Sequence, residues 1–111
     1  MARLGQRHEM MMKLDLTKEQ QAKIADLRDR QARKAIQAEA DARIARLDLE
    51  KLIHAERPDR AAINQQIDKV ARLRADLQKS RVGTMLDIRT VLTPEQQQKM
   101  HEMRGRGSDE S

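Results

Sequence analysis

Apolar and small side chains recur every three or four residues from Ile24 onward: Ile24, Leu27, Gln31, Ala35, Ala38, Ala42, Ala45, Leu49 and Leu52. That rhythm is the stripe of an amphipathic helix, not the alternation of a strand. After a polar stretch around Pro58 the rhythm resumes with Ile63, Ile67, Val70, Leu73, Leu77, Thr84, Ile88 and Val91. Two long helices follow, over 18–55 and 59–91, roughly 57 and 50 Å long at 1.5 Å per residue. Pro58 lacks an N–H and biases Arg57 away from helix. The second helix then restarts either with Pro58 at its first position or with Asp59 as its cap.

Folding the chain back on itself at Arg57–Pro58 tests the pattern. In an antiparallel hairpin the numbers of facing residues sum to a constant, here about 115. Leu52 then faces Ile63, Ala45 faces Val70, Ala42 faces Leu73, Ala38 faces Leu77, Leu27 faces Ile88 and Ile24 faces Val91. Small residues on one helix meet large ones on the other, as interdigitating layers require. The seam is thin: a two-helix hairpin exposes much of its surface, so a homodimer that buries more of it is expected. Gly83 weakens the return helix by about 1 kcal/mol and leaves room for a bend or the close approach of another helix.

The same short signal brackets the hairpin. Leu16-Thr17-Lys18-Glu19-Gln20-Gln21-Ala22-Lys23 precedes it and Leu92-Thr93-Pro94-Glu95-Gln96-Gln97-Gln98-Lys99 follows it. Thr followed three residues later by Gln is a capping box, in which hydroxyl and amide satisfy each other's backbone N–H groups. Neither Gln21 nor Gln97 completes a hydrophobic staple, so Leu16 and Leu92 pack against each other or a neighbouring helix. A short helix at 4–13 and another at 94–103 flank the hairpin, giving four helices in one domain over 1–103. Residues 104–111 read as a disordered polar tail.

Composition narrows the function. The chain of 111 residues has no Phe, Trp, Tyr or Cys. Disulfides, thiolate metal sites and thiol catalysis are excluded. The formal net charge of +5 is diffuse: residues 18–57 carry ten basic and eight acidic side chains. With acids interleaved and no aromatic stacking platform, nucleic acid is not the expected partner. No stretch is long and apolar enough to span a membrane. No nucleophile set, phosphate loop or pocket-forming arrangement appears, so the chain is expected not to be an enzyme.

Two LTxxQ motifs flanking a long hairpin resemble the Spy/CpxP superfamily of periplasmic stress proteins. The runs Ala55–Ile63, Val70–Gln78 and Met85–Gln96 are similar to its heavy-metal-resistance branch, the zinc-resistance-associated and CnrX-like proteins. The likeness covers about residues 8–103, with Leu16, Thr17, Gln20, Leu92, Thr93 and Gln96 as its structural motif. It implies a curved homodimer in the periplasm, its signal peptide removed; residues 1–17 themselves lack a signal peptide's apolar run. Some members are ATP-independent chaperones for unfolded proteins. Others bind metal and restrain a membrane sensor or anti-sigma partner.

Both chemistries have candidates. An adaptable client surface needs apolar thioethers beside charge; Met10, Met11, Met12, Met85, Arg28, Arg33, Lys34, Arg43, Arg72, Arg74 and Arg81 supply it. The chaperone is the first expectation. For metal, His8-Glu9-Met10 and His101-Glu102-Met103 repeat one tripeptide, making His8, Met10, His101 and Met103 candidate ligands. His with Met suits soft ions such as Cu(I), and His with Glu suits Zn, Ni or Co. The multi-His pattern of the metal-sensing members is not reproduced, and no cofactor is required, zinc being the metal the resemblance offers. His54, at the bend, reads as an exposed helix-end residue that favours the helix dipole.

Overall fold

A computed structural model of the chain describes residues 14–109, with side chains from 14 to 104. The expected helix at 4–13 lies outside the described residues. The described chain is all-helical: α1 spans Lys18–Ile53, α2 Arg60–Val91 and α3 Pro94–Asp109. Contacts divide it into two units, each built from parts of α1 and α2.

The unit Asp29–Thr84 is a helical hairpin around the bend. α1 ends at Ile53, two residues earlier than expected, with the His54 N–H still bonded to the Glu50 carbonyl at 3.0 Å. Of the two restarts open to the sequence, the Asp59 cap is the one used. Its Oδ1 accepts from the N–H groups of Ala61 at 3.0 Å and Ala62 at 3.3 Å. Pro58 and Asp59 lie outside both helices, so Asp59 is free to take the non-helical conformation a cap needs.

The less exposed positions of α1 in this hairpin are Gln31, Ala35, Ala38, Ala42, Ala45, Leu49 and Leu52, the expected seam. Ala42 and Ala45 are buried, at 7% and 2% exposure. Their small side chains let α2 come close enough for the Gln66 amide to donate to the Ala45 carbonyl at 2.8 Å. Gln66 therefore occupies the seam position assigned to Ile67, and Ile67 is 47% exposed. The two residues are 100° apart around the helix, and only the facing backbone decides between them. A polar layer was also illegible: Gln31 Oε1 accepts from Ser80 Oγ and Thr84 Oγ1, each at 2.9 Å. Gln31 Nε2 is buried without a hydrogen-bond partner among the described residues.

The other unit joins residues 14–28 to 85–109. Leu14, Leu16, Ile24 and Leu92 form its core, with Ile88, Val91 and Met100 packed against them. Leu16 and Leu92 thus share one apolar cluster. Asp15 stands between two buried leucines with φ of 57°. Asp tolerates this left-handed conformation better than most residues. The turn it makes lets Leu14 and Leu16 both point inward.

α3 runs on to Asp109, so residues 104–109 lie in helix and not in the disordered tail expected of them. Gly105 and Gly107 weaken a helix by about 1 kcal/mol each without breaking it, and no proline follows to end it. Gly83 likewise sits inside an uninterrupted α2. A Cβ built there meets nothing within 4 Å, so no helix among the described residues requires a glycine at this point. Gly83→Ala is expected to stabilise the protein by about 0.5–1 kcal/mol through helix propensity and the entropy of the unfolded chain. Urea denaturation followed by circular dichroism measures the shift.

Candidate functional site

The two LTxxQ motifs converge. Each makes its capping box: the Thr17 N–H donates to Gln20 Oε1 at 2.9 Å and the Gln20 N–H to Thr17 Oγ1 at 3.1 Å. The corresponding bonds of Thr93 and Gln96 are 2.9 and 3.2 Å. The two glutamine amides then pair. Gln20 Nε2 donates to Gln96 Oε1 at 2.8 Å, and Gln96 Nε2 donates back to Gln20 Oε1 at 3.2 Å. The remaining amide hydrogens reach backbone carbonyls, from Gln20 to Val91 at 3.1 Å and from Gln96 to Leu14 at 3.1 Å.

This clasp explains the residue type. A capping box accepts Glu or Gln equally. Here each side chain must accept from its own Thr N–H and at once donate to the opposite motif, which only an amide does. The second glutamines close the same joint: Gln21 Nε2 donates to the Leu16 carbonyl at 3.1 Å, and Gln97 Nε2 to those of Arg89 at 2.9 Å and Leu92 at 3.2 Å.

The same unit carries the histidine that sequence reasoning singled out. His101 is exposed on α3 and lines a small cleft with Met85, Leu86, Arg89, Gln97, Met100 and Arg104. Arg104 also donates to Met85 Sδ at 3.8 Å. The thioethers brought into His101's cleft are thus those of Met85 and Met100. Met103 does not line it, because residues two apart on a helix point to different sides. His8, Met10, Met11 and Met12 lie outside the described residues.

Of the basic side chains, Arg33, Lys34, Arg43, Arg72, Arg74 and Arg81 are exposed and Arg28 is half-buried. Arg33 pairs with Asp29 one turn away at 2.9 Å, and Arg81 with Glu39 of α1. Arg43 and Arg74 share a cleft with Arg46 over a floor of Ala42 and Leu77. Arg46 was not anticipated; its spacing of three from Arg43 was the available signal. His54 is exposed just beyond the end of α1, as expected.

A family model described as heavy-metal resistance matches residues 2–99. The chain belongs to this heavy-metal-resistance family. No curated protein and no solved structure shows a significant match. Membership does not by itself supply a metal centre. Among the described residues no group of three or more His, Cys, Asp or Glu is placed to hold an ion. The cleft at His101 offers one imidazole and two thioethers, a soft donor set. Arg89 and Arg104 line the same cleft, and their positive charge opposes a divalent cation there. The described residues alone therefore do not fit a divalent metal.

The clasp makes a sharp prediction. Gln96→Glu keeps a competent capping box but removes two donors and sets a carboxylate against Gln20 Oε1. It is expected to destabilise the protein by about 2–3 kcal/mol, whereas in an isolated capping box the change is nearly neutral. Urea melts of wild type and variant decide between these.

Proposed function

We propose that this chain is a non-enzymatic heavy-metal-resistance protein of the periplasm. It binds metal ions such as zinc, nickel, cobalt or copper and restrains a membrane signalling partner according to its metal state. The observation that carries this reading is the family match over residues 2–99. The imidazole of His101 beside the thioethers of Met85 and Met100 offers soft donors of the kind Cu(I) takes, and a divalent ion needs ligands beyond the described residues. His8 and Met10 are the candidates to complete the ligand set. No helix among the described residues is long and apolar enough to cross a membrane, which suits a protein that meets a membrane partner without spanning the bilayer itself. In this reading the protein works as a curved homodimer.

A client-holding chaperone stands second. It draws on the exposed apolar side chains of the two long helices and the arginines of the Ala42–Leu77 cleft. The family description names metal, and the metal reading takes precedence.

Titration of the metal-free protein with Zn(II), Ni(II), Co(II) and Cu(I) under anaerobic conditions tests the proposal. Stoichiometric binding of at least one ion is expected, weakened about tenfold or more by His8→Ala and by His101→Ala. Folded protein that binds none of these ions would overturn it. ATP-free suppression of client aggregation that survives a chelator would then favour the chaperone.

A further inference from the structure

α1 carries a second apolar stripe that the hairpin does not use. Ile36, Ala40, Ile44 and Leu47 follow one another at four, four and three residues. At 100° per residue this stripe lies on the side of α1 opposite the seam of Ala35, Ala38, Ala42, Ala45 and Leu49. Ile36 is 70% exposed, Ile44 57% and Leu47 52%. Ile44 and Leu47, with Asp48 and Lys51, also line a shallow groove that Glu50 and His54 extend. Positions 44, 47, 48 and 51 are spaced i, i+3, i+4, i+7, the four corners of a hole that receives one knob from a facing helix. Ile36, more exposed than Ile44 or Leu47, is a knob without a hole among the described residues of its own chain.

We infer that this face of α1 is the homodimer interface, with two α1 helices antiparallel about a two-fold axis near residues 41–42 and Ile36 of each copy seated in the Ile44–Leu47–Asp48–Lys51 groove of the other. The inference rests on the homodimer reading above and names its face. One operation fills both holes, as an isologous interface requires. Ala40, opposite Ile44 of the second copy, lets the backbones approach at the axis.

Charge decides the direction. The antiparallel arrangement brings Arg33 of one copy beside Asp48 of the other, and Asp29 beside Lys51 and His54. The exposed Asp29–Arg33 pair is free to join that network. A parallel pair in register would instead set Arg33 on Arg33 and Lys51 on Lys51, which is repulsive. The thin seam leaves the driving force to the outer stripe: α2 has no buried residue and α1 only Ile24, Ala42 and Ala45, so burying the stripe adds apolar contact the protomer lacks.

The absence of cysteine makes the register directly readable. Ile36→Cys and Leu47→Cys are prepared singly, mixed, and oxidised. The mixture is expected to form a disulfide-linked heterodimer. Ile36→Cys alone should not cross-link, because its two copies lie about 16 Å apart along the axes, beyond disulfide reach. In sedimentation, Ile44→Glu should weaken the dimer about tenfold or more while leaving helicity unchanged, since Ile44 is exposed in the protomer. Ile67→Glu, an exposed change on α2, should leave the dimer intact. A dimer that survives Ile44→Glu, or that cross-links through Ile36→Cys alone, would overturn this face while keeping the homodimer. A wild-type protein that stays monomeric at every concentration would overturn both, and neither result touches the metal titration.

Discussion

The reciprocal amide pair of Gln20 and Gln96 is the joint on which its unit is assembled. It ties the first turn of α1 to the first turn of α3, and through the Val91 and Leu14 carbonyls it also fixes the end of α2 and the entry to α1. Four backbone segments are held by two side chains, each satisfied at both its acceptor and its donors. A polar network removed in part from water is most stabilising when it is complete, and this part-buried one is. The leucines of the motif lie beside it in the apolar core, so the polar joint and the hydrophobic cluster of Leu14, Leu16, Ile24 and Leu92 support the same arrangement.

The other unit is held differently. Its hairpin relies on alanines that permit close approach and on polar side chains that reach across it: Gln66 to the Ala45 carbonyl, and Ser80 and Thr84 to Gln31. Such a seam specifies register well but contributes little apolar burial. Large aliphatic side chains remain outside it, with Ile36, Ile44, Leu47 and Ile67 all about half exposed or more. Thin packing in the protomer and a patterned apolar face on α1 are two consequences of the same allocation of hydrophobic residues.

Heavy-metal resistance enters through family membership, and the geometry limits what the described residues can hold. His101, Met85 and Met100 share a cleft, but Arg89 and Arg104 also line it, and no carboxylate lines it among the described residues. In the proposed function a working site draws further ligands from elsewhere in the protein, from the segment holding His8 and Met10, which makes metal binding a matter of bringing separate parts of the chain together.

The amino-acid sequence determined the two long helices, their approximate ends and the seam of α1, because these follow from the period of the apolar positions and from proline and capping chemistry near in sequence. It also determined that each LTxxQ motif is a capping box. Tertiary structure alone decided that the two boxes bond to each other, since nothing local distinguishes a glutamine that caps from one that caps and clasps. It decided for Gln66 over Ile67 in the seam, because backbone approach at Ala45 made a hydrogen bond available that hydrophobicity could not anticipate. It placed Met85 and Met100, not Met103, beside His101, because a thioether on α2 becomes His101's neighbour only once α2 and α3 are packed together.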